Sequence, residues 1–210
     1  MATYIIVAII AYCLGSISFS VIISKKMAGF DVREKGSKNA GSTNVLRTVG
    51  KKAAILTLIC DILKGVVAIL IAVLLGNLVE GTDKALLVQI AGLMAVIGHT
   101  FPVFFKFKGG KGVATALGVL FIVNGQIALI CLVFALLLMA ITRMVSVGSL
   151  AAAILFPVLT IFIKDNYIVE GSYLVFGILM AGLVVFNHRT NIKRLATGTE
   201  NKLSFKKQNT

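Results

Sequence analysis

Residues 113–141 read VATALGVLFIVNGQIALICLVFALLLMAI, and this mostly apolar run decides how often the chain crosses a membrane. A transmembrane helix needs about 20 such residues, so the run is too long for one span and too short for two full ones. Asn124-Gly125-Gln126 near its middle is typical of a turn, where side chains or water can satisfy the backbone. The run therefore predicts two short helices, about 113–123 and 126–141.

The composition of the whole chain also indicates a lipid environment. Charged residues make up only 14% of 210 positions and hydrophobic residues 58%, whereas a soluble domain has about 25% charged residues. Long apolar blocks predict further spans at about 3–24, 53–75, 85–105, 147–163 and 168–186. We therefore expect an all-α integral membrane protein with seven transmembrane helices, forming one domain over residues 1–210.

The positive charges predict the orientation of these helices. Lys and Arg collect in residues 25–52, 106–111 and the tail from residue 187, whereas the segments 76–84 and 164–171 are acidic on balance. Cytoplasmic loops carry the excess of Lys and Arg, so the basic segments and the C-terminus are expected inside. The first block has no positive charge before it and Lys25-Lys26 after it, the reverse of a secretory signal. It is expected to be retained, with its N-terminus outside.

Two cytoplasmic loops have the composition of anion sites. Residues 36–44 read GSKNAGSTN and are followed by Arg47, so small residues allow backbone N–H groups to form a nest and the Arg offers bidentate phosphate binding. Residues 107–112 read FKGGKG and lead into the helix predicted to begin at Val113. A glycine-rich loop with a Lys at a helix N-terminus favours phosphate binding, because backbone N–H groups and the positive charge can contact the anion. This second loop is not a Walker A loop, since Gly112 follows Lys111 where Ser or Thr would stand. A flexible solvated loop and a short basic turn are the plainer alternatives.

Two further groups of polar residues are candidates for a functional role. The run NHRTN at 187–191 follows the last predicted span, and His188 and Asn191 would share a face if that helix continues. An interfacial or capping role for the His is the simpler alternative. Asp61 and Lys64 lie inside the second predicted span, where ionisable groups usually pair, line a polar cavity or serve a substrate. A purely structural pair is the alternative there.

Several common chemistries find no support in the sequence. His99 and His188 lack metal-ligand spacing, and neither a GxSxG nor a His-x4-Asp pattern is present. The three cysteines lie inside apolar blocks and suit neither a disulfide framework nor a zinc site. We therefore predict no metal and no cofactor, and no nucleic-acid partner despite the net charge of +13. Cations, backbone N–H groups and the substrates themselves must supply the chemistry.

The polar segments together closely resemble the bacterial acyl-phosphate-dependent glycerol-3-phosphate acyltransferases, the PlsY family. The matching stretches are GSKNAGSTNVLRTVGKK at 36–52, DILKG at 61–65, GHTFPVFFKFKGGKGVATALG at 98–118 and NHRTNIKRLATGTE at 187–200. The resemblance implies a seven-span enzyme of the bacterial inner membrane with a cytoplasmic active site. It also implies transfer of a fatty acyl group from acyl phosphate to the sn-1 hydroxyl of glycerol 3-phosphate. The products would be lysophosphatidic acid and phosphate, in the first acylation step of phospholipid synthesis.

The resemblance also implies site residues. Ser37 and Arg47, with His188 and Asn191, are expected to hold glycerol 3-phosphate, while Lys111 and the backbone of 109–112 hold acyl phosphate. Other residues expected at the substrates are Gly36, Asn39, Gly41, Thr43, Asn44, Asp61, Lys64, His99, Gly109, Gly110, Gly112 and Ser146. Acyl phosphate is an activated mixed anhydride, so direct transfer without an acyl-enzyme is expected. Expected partners are the two substrates, membrane lipid and the soluble enzyme that makes acyl phosphate.

Two other classes of membrane protein share some of these features. A small-solute transporter would share the apolar spans and the Asp61–Lys64 pair, but transport calls for polar groups near the midplane, whereas most polar motifs here fall at one interface. A lipid phosphotransferase would ordinarily carry carboxylates placed to hold a divalent metal. The eight acidic residues here are scattered and lie mostly in loops, which argues against that class.

Overall fold

The structure is a computed structural model that describes residues 1–163 and 170–203. Most of the acidic segment expected at 164–171, the start of the span expected at 168–186 and the tail beyond residue 203 lie outside the described residues. Within the described ranges the chain forms helices and connecting loops, with no strand. The predicted all-helical fold is therefore confirmed.

Residues 1–163 and 170–203 contain ten α-helices and two 3-10 turns. The helices are α1 Ala2–Gly15, α2 Phe19–Ala28, α3 Ser42–Thr48, α4 Lys51–Leu78, α5 Lys84–Thr100, α6 Val113–Val123, α7 Gly125–Thr142, α8 Val145–Phe162, α9 Glu170–Asn187 and α10 Arg189–Ala196. The 3-10 turns are Val32–Glu34 and Val103–Phe105.

Five stretches of the described chain are long and apolar enough to cross a bilayer. They are Ala2–Ala28, Lys51–Leu78, Lys84–Phe105, Gly125–Thr142 and Val145–Phe162. A sixth arises if the helices Tyr173–Asn187 and Arg189–Ala196, which meet at 62°, count as one span. Helix α6 is apolar but shorter. The count of seven spans and the orientation stay predictions.

The break expected in the middle of residues 113–141 is present. Helix α6 ends at Val123 and α7 begins at Gly125. Asn124 caps α7, because its side-chain Oδ1 accepts a hydrogen bond of 2.9 Å from the backbone N–H of Ile127. The buried asparagine thus satisfies part of the backbone exposed by the break, as the sequence predicts.

The first predicted span, 3–24, is not one continuous helix. It breaks between α1 and α2, at residues 16–18. The Nζ atom of Lys64 on α4 donates to the carbonyl oxygens of Gly15 at 2.9 Å and Ile17 at 2.8 Å. The break therefore supplies acceptors for a buried ammonium group, and a span prediction from composition alone cannot include that distant partner.

Two buried clusters position the polar loops. The larger one fills the space between α1 and α4–α9 and includes Val7, Ile69, Leu87, Val119, Ile127 and Phe176. The smaller one supports α3 and the loop before it, and its members are Val21, Ile23, Val32, Ala40, Val45, Ala53 and Ala54. The loop at 36–41 therefore rests on a packed apolar base.

Candidate functional site

A cavity of about 760 Å³ lies where the loops meet the helix ends. Its polar end is lined by Ser37, Asn39, Arg47, Asp61, His99, Lys111, Ser146, His188, Asn191, Arg194 and Glu200. Its apolar wall comes from α4 and α6–α9 and includes Leu58, Leu117, Leu120, Phe121, Leu132, Phe156 and Met180. The cavity therefore joins a polar chamber to an apolar groove between helices.

We call residues 35–41 the first loop, and its shape depends on Asn44. The Asn44 Oδ1 atom accepts a hydrogen bond of 2.9 Å from the Ser37 N–H. Its Nδ2 donates to three carbonyl oxygens, at distances of 2.8 to 3.1 Å, those of Val32, Lys35 and Asn39. Asn44 lines the cavity, and its amide holds the loop together, so the structure gives it a structural role while its expected contact with substrate stays a prediction. One turn further along α3, Arg47 reaches the cavity.

We call residues 106–112 the second loop. It is hydrogen-bonded to the C-terminal end of α5. The N–H groups of Gly109 and Gly110 donate to the carbonyl oxygens of Thr100 and His99, each at 3.1 Å. A side chain at Gly110 would overlap the His99 ring and the Ala40 carbonyl oxygen. These two N–H groups are therefore unavailable to an anion, which corrects the expectation that the 109–112 backbone as a whole holds phosphate.

The end of the second loop and the start of α6 line the cavity. Lys111, Gly112, Val113 and Ala114 line it, and the last two belong to the first turn of α6. The N–H groups of a first helical turn have no partner within the helix and favour an anion. Gly112 has φ +83°, a left-handed conformation that favours glycine and turns the chain into the helix.

The chain does not continue straight after the last long helix. It bends by 62° at His188, and the short helix α10 follows. His188 and Asn191 are both buried and both line the cavity, so the bend brings together the two residues that a continuous helix was expected to align. The Lys111 ammonium donates to the Asn191 Oδ1 atom. Burial lowers the pKa of His188 to about 4, and the positive charge of Lys111 adds to this shift.

Glu200 is a member of the site that sequence reasoning did not single out. Its carboxylate accepts hydrogen bonds from Ser146 Oγ at 3.0 Å, Asn191 Nδ2 at 2.8 Å and Arg194 Nε at 3.0 Å. Burial raises the pKa of Glu200, but these hydrogen bonds outweigh it and hold the pKa below its ordinary value. The only sequence signal was a single acidic residue within a basic tail.

Positive charge exceeds negative charge around the mouth of the chamber. The cavity lining includes the cations Arg47, Lys51, Lys111 and Arg194 and the carboxylates of Asp61 and Glu200. Burial lowers the pKa of Lys111 to about 8; Glu200 opposes the shift, while Arg194 and Arg47 add to it. Cations that repel one another in a partly buried site are stabilised by an anion, so this end of the cavity is suited to a phosphate.

The intramembrane charges form a separate group. Lys64 Nζ lies 3.0 Å from Asp61 Oδ1, and His99 Nδ1 lies 3.5 Å from the same oxygen. Asp61 and His99 line the cavity, whereas Lys64 does not. Expected substrate contacts that the structure places outside the cavity lining are Gly36, Lys64, Gly109 and Gly110. Within residues 1–163 and 170–203, no group of three or more His, Cys, Asp or Glu side chains could hold a metal ion.

Comparison with known proteins identifies the family. The model of the family described as Glycerol-3-phosphate acyltransferase matches residues 5–198. The chain belongs to this family. A glycerol-3-phosphate acyltransferase of Clostridioides difficile is 46% identical over 98% of both chains, and one of Shouchella clausii is 41% identical over 98% of both chains.

Solved structures of the family have the same fold. PlsY (YgiH), an integral membrane glycerol 3-phosphate acyltransferase, superposes in its glycerol 3-phosphate form with a TM-score of 0.84 at 41% identity, covering 96% of each chain. Its lysophosphatidic acid form gives a TM-score of 0.82 at 40% identity, covering 96% of this chain and 95% of that one. The resemblance seen in the motifs is thus confirmed, and the protein is an all-helical integral membrane acyltransferase.

Proposed function

We propose that this protein transfers a fatty acyl group from acyl phosphate to the sn-1 hydroxyl of glycerol 3-phosphate, giving lysophosphatidic acid and phosphate. One observation carries the proposal: a single cavity joins a cationic polar chamber to an apolar groove between helices. Such a cavity suits two anionic headgroups and one acyl chain. The names of the relatives and the two ligand forms of PlsY support glycerol 3-phosphate as acceptor and lysophosphatidic acid as product.

The two phosphates are assigned to the two loops. Arg47 and Ser37 of the first loop region, with His188 and Asn191, would hold glycerol 3-phosphate. Lys111, Gly112 and the first turn of α6 would hold the acyl phosphate and its departing phosphate. Two anions repel each other when they approach in a partly desolvated site, so cations on both sides are needed to bring them into reacting geometry.

The acyl transfer itself would be direct. The sn-1 hydroxyl oxygen attacks the acyl carbonyl carbon, the bond between that carbon and the phosphate oxygen breaks, and inorganic phosphate leaves. The phosphate oxygens of the donor can accept the proton of the hydroxyl, so no separate base is required. Lys111 would stabilise the negative charge that develops on the leaving phosphate. His188, neutral near pH 7 because its pKa is lowered to about 4, would orient the acceptor by hydrogen bonding.

The donor assay tests the central claim. Purified protein is incubated with glycerol 3-phosphate and, separately, with acyl phosphate, acyl-CoA or acyl carrier protein, and lysophosphatidic acid is measured in lipid extracts. Product should form with acyl phosphate. If only a thioester donor supports product formation, the donor assignment is wrong.

The direct mechanism has its own test. Double-reciprocal plots for the two substrates should intersect, because both must be bound before transfer. Intact-protein mass spectrometry after incubation with acyl phosphate alone should show no acyl adduct. A stoichiometric adduct that glycerol 3-phosphate discharges at the turnover rate would contradict direct transfer but not the overall reaction.

The proposed topology has seven spans in the bacterial inner membrane, with the N-terminus outside and the polar chamber facing the cytoplasm. The basic loops support this orientation through the positive-inside rule. In a cysteine-free background, a Cys introduced at Ser42 or Lys108 should react with an impermeant thiol reagent only from the cytoplasmic side. A Cys at Thr82 should react only from outside. The soluble enzyme that makes acyl phosphate would then deliver its product to the cytoplasmic face.

A further inference from the structure

Arg33 binds the second loop and the residue directly before it. Its Nη1 atom donates to the carbonyl oxygens of Phe105 at 2.8 Å and Lys108 at 3.0 Å. Its Nε and Nη2 atoms donate to both carboxylate oxygens of Asp31, at 2.9 and 2.7 Å. Arg33 does not line the cavity, and the proposed reaction gives it no role.

Hydrogen bonds from Arg33 can stabilise the second loop, because part of its backbone has an unfavourable conformation. Lys106 and Phe107 both have φ +57°, a left-handed conformation that residues with side chains rarely adopt. The two carbonyl groups that Arg33 binds belong to the residues on either side of this pair. The guanidinium group therefore clamps the bent segment, while the carbonyls of His99 and Thr100 hold its glycine end.

Arg33 is also linked to the first loop, through the 3-10 turn in which it lies. It lies in the 3-10 turn Val32–Glu34, directly before the first loop. Val32 is fully buried, and its carbonyl oxygen accepts the hydrogen bond of 2.8 Å from Asn44. The turn that carries Arg33 is thus part of the framework from which Asn44 shapes the first loop.

We infer that Arg33 is a positioning residue that fixes the spacing between the first loop and the second loop, and hence between Arg47 and Lys111. The inference deepens the proposed function, since it concerns the distance between the two phosphate sites of that reaction. Reaction rates are sensitive to displacements of about 1 Å between bound reactants, so looser spacing should lower kcat as well as raise KM. Lysine cannot replace this arginine, because a single ammonium group cannot span two carbonyls and a carboxylate in the planar arrangement seen here.

Kinetics of Arg33→Lys test the inference, because that change keeps the charge and removes the planar fork. We expect kcat/KM to fall about 10-fold, in the range of coupling between neighbouring residues. Arg189→Lys is the matched control. Arg189 lies at the same end of the fold, but among the described residues its guanidinium contacts the carbonyl and the ring of Phe186 and no part of either loop, so kcat/KM should stay within about twofold.

A double-mutant cycle separates positioning from general destabilisation. If Arg33 acts through Lys111, adding Arg33→Lys to Lys111→Ala should lower the residual activity by less than about twofold. An equal loss in both backgrounds, or no loss in the wild-type background, would overturn the inference. Thermal unfolding in detergent identifies the folded variants, and Arg33→Gln enters the same cycle if Arg33→Lys does not fold. Should the wild-type protein require a donor other than acyl phosphate, the proposed function fails while the cycle, run with that donor, still decides the role of Arg33.

Discussion

The two loops that face the cavity reach their shapes by opposite means. The first loop is organised by Asn44, whose amide makes four hydrogen bonds, all to residues between 32 and 39. The second loop is held by hydrogen bonds to His99 and Thr100 of α5 and to Arg33, which lies more than 70 residues away in the sequence. The first loop is stabilised by hydrogen bonds between residues close in sequence, whereas the second loop is also stabilised by a residue far away in sequence. Substitutions in the two loops should therefore change stability and activity differently.

The largest effects should come from the cation associated with each loop. Lys111→Ala and Arg47→Ala should each cost about 2–4 kcal/mol of transition-state stabilisation, the scale seen when a charge-stabilising donor is removed. The measurement is kcat/KM for both substrates, with thermal unfolding to show that the variants remain folded. Equal losses would mean that both loops serve the reaction despite their different construction. A wild-type kcat/KM in either variant would remove that residue from the site.

Asn44→Ala tests the local construction of the first loop. The change leaves the partly buried Ser37 N–H without its acceptor, and such an unpaired group costs about 1–3 kcal/mol. It also removes the hydrogen bonds from Asn44 to three carbonyl groups that each keep a backbone N–H donor, at a net cost of about 0.5–1.5 kcal/mol per bond. We expect the free energy of unfolding to fall by about 3 kcal/mol. Asn187→Ala is the control, since within the part of the chain that the structure describes the Asn187 amide makes one hydrogen bond, of 3.1 Å, to Thr100 Oγ1. A control variant that is destabilised as much as Asn44→Ala would contradict the central role given to Asn44.

The same glycine-to-alanine change in the two loops should have unequal effects. At Gly110 a methyl group would overlap the His99 ring and the Ala40 carbonyl oxygen, and overpacking of this kind costs about 1–3 kcal/mol. At Gly41 the nearest atom would be the Asn39 side-chain nitrogen at 3.1 Å, which can move. Gly110→Ala should therefore lower kcat/KM at least about tenfold more than Gly41→Ala. Equal losses would show that the second loop is less constrained than its contacts indicate.

The smallest effect concerns protonation at the second loop. Because the pKa of Lys111 is lowered to about 8, raising the pH through this value removes its positive charge from the free enzyme. We expect kcat/KM to decline above about pH 8, approaching tenfold per pH unit. In Lys111→Arg the guanidinium stays charged, so any remaining activity should be insensitive to pH in this range. A decline of the same form in both proteins would assign the titration to another group.

Two helix breaks show how far the sequence could predict the fold. The break at Asn124 was predictable because the residues that cause it are the residues that satisfy it: the side chain of Asn124 caps the next helix. The break between α1 and α2 was missed because the group that satisfies its carbonyls, Lys64, lies on α4. Hydropathy locates apolar blocks, but it contains no information about hydrogen bonds between distant segments.

The candidate site, like the fold, could be predicted from the sequence only in part. The motifs identified Lys111, Arg47, His188 and Asn191, which the structure brings to one cavity. They did not indicate that the Gly109 and Gly110 N–H groups are already paired, or that Glu200 joins Ser146 to Asn191. Residue type reveals which chemistry a side chain can perform. Which groups remain available for a ligand depends on the partners that the folded chain supplies.

The Lys64 arrangement has a consequence for biogenesis. Helix α4 must bring an ammonium group into the bilayer, where unpaired charges are costly, and Asp61 lies one turn away on the same helix. The other acceptors of Lys64, the carbonyls of Gly15 and Ile17, lie at the end of α1 and in the break after it, which precede α4 in the chain and are therefore synthesised earlier. Lys64 therefore has one partner on its own helix and gains two more only when α4 packs against the break between α1 and α2. The first two helices should therefore remain beside the insertion machinery until α4 arrives, and these segments should enter the lipid as one assembled unit.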